Sequence, residues 1–293
     1  MKSGRSARST LAAIVLLLSG CAVGTQDGAT SFANVDLSAV SPATDAGAAA
    51  TSGLALSVHT TLGIPEEASV NDPVHALLVK PQYVTSFDST RKNPRWTSWE
   101  LTTKWIGNTG RTGTFGPDPQ LPTAFPQASN SDYSGSGFER GHICPSGDRT
   151  DTVADNGATF VFTNAVPQTA ASNTGTWETL EADERNFAKA GNHVFIVAGS
   201  IYADTKTIGN GVAVPTSMFK IVVLLSGASP RPSDVTPQTR VISVEIPNTT
   251  TVTGSYKSYR VKFADLEAKT GFRFLSDVAP ALHDALAQTV DAG

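Results

Sequence analysis

Beyond residue 74, apolar and polar positions mostly trade places with a period of two. Residues 75–79 and 83–88 read as strands, and Trp96-Thr97-Ser98-Trp99-Glu100-Leu101 alternates into a third that ends at Trp105. Residues 138–144 and 159–163 give two more, the second with Phe160 and Phe162 on one face. Near-continuous apolar runs at 193–198, 219–225 and 240–246 have the length of buried strands. The period changes at 174–189, where Trp177, Leu180, Phe187 and Ala188 make a helical stripe. Asn173 stands there at the N-cap position and Gly191 at C′. Shorter helices are predicted at 261–269, stopped by Gly271, and at 278–287, with 272–275 returning to the core between them. Glycine- and proline-rich loops separate these elements, the longest at 108–127 with Arg111 near its start. There is no internal repeat. Strands outnumber helices without a regular βαβ alternation, which predicts an α+β domain: a mixed, mainly antiparallel sheet flanked by helices.

The first seventy residues follow neither period. Lys2, Arg5 and Arg8 precede an apolar run at 11–18, too short to span a bilayer permanently but suited to the apolar region of a signal peptide. The run ends in Leu18-Ser19-Gly20-Cys21, which resembles the lipobox of bacterial lipoproteins. That resemblance implies a signal peptide at 1–20, cleavage before Cys21, and a lipid on its sulfur. It places the protein in the cell envelope, anchored to a bacterial membrane at the outer membrane or the periplasmic face. Residues 22–69 are rich in Ala, Ser, Thr and Gly, so 21–70 reads as a flexible tether with a reach of roughly 35–40 Å. An apolar patch at 54–62 is expected to dock on the domain or form a short helix. The folded domain is assigned to 71–293.

Composition narrows the chemistry. The formal charge of the 293 residues is −4, and loss of the three basic residues before Cys21 takes it to −7. An anionic substrate must therefore be held by local positive charge or a metal, rather than by the field of the whole protein. Only Cys21 and Cys144 are present, so acylation of Cys21 leaves Cys144 without a disulfide partner, and it reads as a small buried hydrophobe. No second Cys/His pair stands at zinc-ligand spacing.

The chemistry-bearing residues fall between Gly137 and Arg185. They are Glu139-Arg140-Gly141-His142, Asp148-Arg149-Thr150, Thr163-Asn164-x-x-Pro167-Gln168, and Asn173, Trp177, Glu181 and Arg185 spaced four apart. In order and spacing these blocks resemble the DNA/RNA non-specific endonucleases with a ββα-metal site. A weaker likeness, including Arg111 in a Gly-Arg-Thr loop, covers essentially the whole domain. The resemblance implies a strand–loop–strand–helix motif, an endonuclease that hydrolyses phosphodiester bonds in DNA and RNA through backbone contacts, a Mg²⁺ cofactor (Mn²⁺ possible), and products with a 5′ phosphate. No protein partner is predicted.

Residue chemistry agrees with that implication. His142 suits the general base, since neutral imidazole takes a proton from water near pH 7. Asn173 is the expected metal ligand, and it can cap the helix at the same time. Glu181 either hydrogen-bonds water on the metal or pairs with Arg185. Arg140, Arg111 and Arg185 are candidates to grip phosphate oxygens, with Arg140 first. Asn164 positions the network or shapes a turn, and Trp177 belongs to the core. One residue departs from the family pattern: Glu139 stands where an Asp is usual, one methylene longer. It is the one sequence feature that favours a rival reading, an inactive envelope-binding lipoprotein that retains the fold. A second rival is a phosphodiesterase of small nucleotides, told apart by whether long duplex DNA is cut internally.

Overall fold

A computed structural model describes residues 57–293. The signal segment, Cys21 and the first part of the tether lie outside the described residues. Ten strands are described: β1 (Ala76–Val79), β2 (Val84–Asp88), β3 (Asn93–Leu101), β4 (Glu139–His142), β5 (Ala165–Gln168), β6 (His193–Ile201), β7 (Thr207–Ile208), β8 (Val212–Ala213), β9 (Ser217–Leu225) and β10 (Val241–Pro247). The α-helices are α1 (Asn130–Tyr133), α2 (Val153–Gly157), α3 (Glu178–Lys189), α4 (Phe263–Thr270) and α5 (Pro280–Ala287).

Six strands form an antiparallel sheet in the order β1-β2-β3-β6-β9-β10. The inner strands β6 and β9 pair from His193↔Leu225 to Ile201↔Ser217. Both of their faces are covered, which is why they read as continuous apolar runs instead of alternating ones. On one face Trp99, Ile196 and Val222 pack against Trp177 and Leu180 of the α3 segment and against Val166 of β5. On the other face Trp96, Phe219 and Ile221 pack against Phe263 and Leu266 of α4 and Leu286 of α5. A smaller cluster of Phe115, Tyr133, Phe160, Phe162, Ile208 and Val212 lies beside the β4–β5 hairpin. The arrangement is α+β, with the hairpin and α3 together on one side of the sheet. No helix among the described residues is long and apolar enough to cross a membrane.

Two expectations are corrected. The strand predicted at 159–163 is displaced: Phe162–Asn164 is a 3₁₀ turn, and the strand follows as β5. Asn164 causes the shift. Its Oδ1 accepts the Cys144 N–H at 2.9 Å, while its Nδ2 donates to the carbonyls of Cys144 (2.9 Å) and Thr159 (3.0 Å), so the backbone is pinned in a turn before pairing begins. Pro167 is tolerated in β5 because the hairpin has only two strands, leaving an outer edge that needs no donor.

The tether also ends earlier than 70. Val58–Thr60 is a 3₁₀ turn capped by Ser57, and His59 is buried with Nε2 2.8 Å from the Pro81 carbonyl. The Glu100 N–H donates to His59 Nδ1 at 3.0 Å. Leu62 joins the second core, and Glu66 holds Arg95 through two bonds of 2.6 and 2.7 Å. The composition of 57–70 hid these contacts because every partner lies far along the chain.

Candidate active site

The hairpin sets the site. β4 pairs with β5 in the register Glu139↔Gln168, Arg140↔Pro167, Gly141↔Val166 and His142↔Ala165. Strand alternation sends Glu139 and Gly141 to one face, and Arg140 and His142 to the other. Gly141 is required by a close approach: a Cβ there would stand 2.0 Å from Gln168 Oε1 and 2.8 Å from Gln168 Cβ. Gln168 Nε2 in turn donates to Ser172 Oγ at 3.1 Å, so the glycine lets the hairpin lie against the turn that opens α3.

That turn is not the N-cap predicted at Asn173. Ala171–Trp177 is a π-helical turn in which the Asn173 N–H donates to the Thr169 carbonyl at 2.8 Å. Thr169 does the capping, its Oγ1 accepting the Ser172 N–H at 3.3 Å. Gly175 leaves helical geometry at φ −106° and ψ −105°, and the chain enters α3 beyond it. Wide turns of this kind concentrate at functional positions, because they re-aim one side chain without ending the helix. Here the side chain is Asn173, whose Nδ2 donates to Glu139 Oε2 at 2.8 Å.

Further along, Trp177 is fully buried. The Glu181 side chain is 14% exposed and 3.9 Å from Arg185 Nη1. Burial, followed by the opposing pull of Lys220, leaves its carboxyl raised to about 7. Arg185 Nη1 also donates to Asp148 Oδ1 at 3.1 Å, and Asp148 accepts from Trp99 Nε1 at 3.0 Å. Beneath them the wholly buried Lys220 of β9 meets Glu184 of α3 at 3.2 Å and lies 4.4 Å from the Trp177 ring centre, tying helix to sheet. Burial raises the Glu184 carboxyl.

On the other face of β4, the His142 ring is 8% exposed. It lies 4.6 Å from the ring centre of Phe115 and 4.8 Å from that of Phe160, the latter edge to face. Burial, reinforced by the charge of Arg111, lowers its pKa to about 3, so the imidazole is neutral across the physiological range. Its Nε2 is buried without a protein hydrogen-bond partner, and so is Arg140 Nε. The Arg140 guanidinium lies over the Tyr133 ring at 5.3 Å, and the exposed Arg111 over Phe160 at 4.8 Å.

The predicted residues thus fall into three adjoining groups. Arg111, Arg140 and His142 share the aromatic side of the hairpin. Glu139 and Asn173 meet at its start. Glu181 and Arg185 lie on α3, where Arg185 meets Asp148 of the Ser146–Asp148 turn, and Asn164 braces the backbone between strands. Glu139 and His142 are three residues apart, about 10 Å along the strand. Asp148 and Gln168 stood in the sequence blocks without an assigned role, and the packing of Phe115 and Phe160 on His142 was missed. The recurring phenylalanines were visible in the sequence, but their convergence on His142 was not. A cavity of about 530 Å³ lies elsewhere, lined by Val58, Lys104, His193 and Arg231 among others.

Among the described residues, no group of three or more His, Cys, Asp and Glu is placed to hold a metal. A hydrated hard cation needs less, since Mg²⁺ takes oxygen donors and keeps several waters. Asn173 Oδ1 and the carboxylate of Glu139, kept side by side by the 2.8 Å bond from Asn173 Nδ2 to Glu139 Oε2, are oxygen donors of that type, and the residues fit such an ion.

Comparison with known proteins places this geometry. The model of the DNA/RNA non-specific endonuclease family matches residues 67–281. A nuclease of Nostoc sp. is 40% identical over 238 residues, covering 80% of this chain and 87% of that protein. The mitochondrial nuclease EXOG of Xenopus laevis is 30% identical over 211 residues, which is 66% of this chain and 57% of EXOG. The solved EndoG/EndoGI complex contains a chain of the same fold, with a TM-score of 0.65 and 24% identity over 75% of this chain and 91% of its own. The chain belongs to the DNA/RNA non-specific endonuclease family, a family of metal-dependent nucleases, and is a hydrolytic nuclease.

Proposed function

We propose that this nuclease cuts DNA and RNA internally with Mg²⁺, using His142 as general base and Asn173 as the metal-holding side chain. The observation that carries the reading is the His142 imidazole. It is neutral, walled in by two rings, and has an unpartnered Nε2 on the strand face that also carries Arg140, whose Nε is unpartnered too. A neutral imidazole in that position accepts the proton of the attacking water. Arg140 and Arg111 neutralise phosphate oxygens as negative charge gathers on them. Asn173 and Glu139 would hold the cation, which when bound supplies charge to the phosphate and the leaving oxygen. Departure of the 3′ oxygen leaves a 5′ phosphate on the product. Contacts of this sort read the backbone and not the bases, in keeping with weak sequence preference.

Arg185 is set apart from the other two arginines. With Asp148 and Glu181 both beside it, it supports α3 instead of gripping substrate. Glu139 does not favour the inactive alternative, since its longer side chain meets the Asn173 amide. The lipobox-like segment ending at Cys21 supports attachment to a bacterial envelope membrane through a lipid.

Plasmid degradation tests the proposal. The wild-type protein should cut with Mg²⁺ and stop with EDTA, and His142→Ala should lose more than 100-fold, the scale of a general base (about 10²–10⁴). Equal cutting by the two proteins would refute the assignment of His142.

A further inference from the structure

Three cations surround the aromatic side of the hairpin, and only two of them have a role so far. Arg111 lies over Phe160, Arg140 over Tyr133, and Lys206, just before β7, over Phe138 with Nζ 4.7 Å from the ring centre. Phe138 immediately precedes Glu139 and packs on the cluster that holds Phe115 and Phe160, the rings against His142. The β7–β8 hairpin is docked there. Ile208 and Val212 enter the same cluster, and the Asn210 N–H donates to Asp132 Oδ1 at 2.7 Å. Lys206 itself is fixed through its backbone: its carbonyl accepts from Val214 at 2.8 Å, and its N–H donates to Asp204 Oδ1 at 3.0 Å.

Charge pairing distinguishes this group. In an acidic protein many cations are matched, as in Lys80–Asp118, Arg95–Glu66, Arg240–Asp291 and Lys269–Glu245. Among the described residues, no carboxylate lies within 4 Å of the charged atoms of Arg111, Arg140 or Lys206. Other surface lysines are also unpaired, but Lys206 is held over a ring contiguous with the site. An exposed ammonium on an aromatic face loses little hydration and keeps its charge available.

We propose that Lys206, carried on the β7–β8 hairpin and propped on Phe138, grips a nucleic-acid strand at a phosphate beyond the scissile one. The proposal rests on the nuclease reading and adds a substrate-binding residue to it. The site then meets the strand at successive points along one rim, Arg111 and Arg140 at the reacting phosphate and Lys206 further out. Because the contact lies outside the reacting phosphate, it contributes to binding and not to the chemical step.

The experiment compares KM and kcat of wild type, Lys206→Met, Lys206→Arg and Lys262→Met on a 12-nucleotide single strand with Mg²⁺, from 50 to 200 mM KCl. Lys262, at the start of α4 on the opposite face of the sheet, is the control. One lost phosphate contact lowers the salt slope by roughly 0.7. The KM disadvantage of Lys206→Met should therefore shrink about threefold across that salt range, with kcat unchanged, wild-type behaviour in Lys262→Met and recovery in Lys206→Arg. A disadvantage independent of salt, one no larger than that of Lys262→Met, or a fall in kcat would overturn the proposal. Failure of the wild type to cut the strand would overturn the nuclease reading as well, so the two failures are told apart.

Discussion

His59 and His142 are both kept neutral, and only His142 has a proposed part in the reaction. His142 is held so by burial between phenylalanine rings, and its Nε2 has no protein hydrogen-bond partner. His59 is spent on structure. Burial lowers its pKa to about 4, the charge of Arg149 adds to this, and the Glu100 N–H occupies the nitrogen that would take the proton. Both therefore bind a proton more weakly in the folded chain than in the unfolded one. Their stabilising effect is present above pH 6.5 and is lost as pH falls toward the folded values. For His59 that amounts to roughly 3 kcal/mol by pH 4. Urea titrations from pH 7 to 4 should show wild type losing stability relative to His59→Gln as pH falls, the raised carboxyls of Glu181 and Glu184 acting in the opposite direction in both proteins. A difference between the two proteins that stays flat between pH 6.5 and 4.5 would contradict the assignment.

At the scale of elements, the decisive unit is the β4–β5 hairpin laid against a π turn. Its order was legible in Arg140-Gly141-His142 and in the spacing to Asn173, because short motifs with fixed geometry leave fixed residue types. Three features were not legible. Asn173 looks like a cap because caps and amide ligands draw on the same residue type, while Thr169, four residues earlier, does the capping. β5 starts late because Asn164 spends its side chain on the backbone of Cys144 and Thr159, which no periodicity registers. Residues 57–70 fold onto the domain through partners remote in sequence, Pro81, Arg95 and Glu100 among them. The glycine of the motif gives a direct test. Gly141→Ala would push a methyl group into Gln168, and overpacking of this kind costs about 1–3 kcal/mol. A lower melting temperature together with reduced cleavage is expected. An unchanged protein would mean the hairpin does not depend on that close approach.

Across the whole molecule, a six-stranded sheet with helices on both faces serves as the frame, and the β4–β5 hairpin and α3, which carry most of the residues proposed for the reaction, lie on one side of it. The Lys220–Glu184 pair fixes α3 to the middle of the sheet, while the hairpin sits on the same side through Val166. The general class and the buried strands were readable from periodicity. The way three cation–ring pairs gather around one histidine arises only on folding, which is why Lys206 carried no signal of its own. In the proposed reaction His142 and Asn173 have separate roles, one for the proton and one for the cation. Plasmid cleavage rate against Mg²⁺ concentration, measured for wild type, His142→Ala and Asn173→Ala, separates them. The predicted result is a half-saturating Mg²⁺ concentration raised at least tenfold in Asn173→Ala, the lower end of what loss of a residue supporting a metal site costs (about 10–100-fold). His142→Ala should lose rate at every concentration without that shift. Wild-type rates and an unshifted Mg²⁺ dependence in both variants would contradict it.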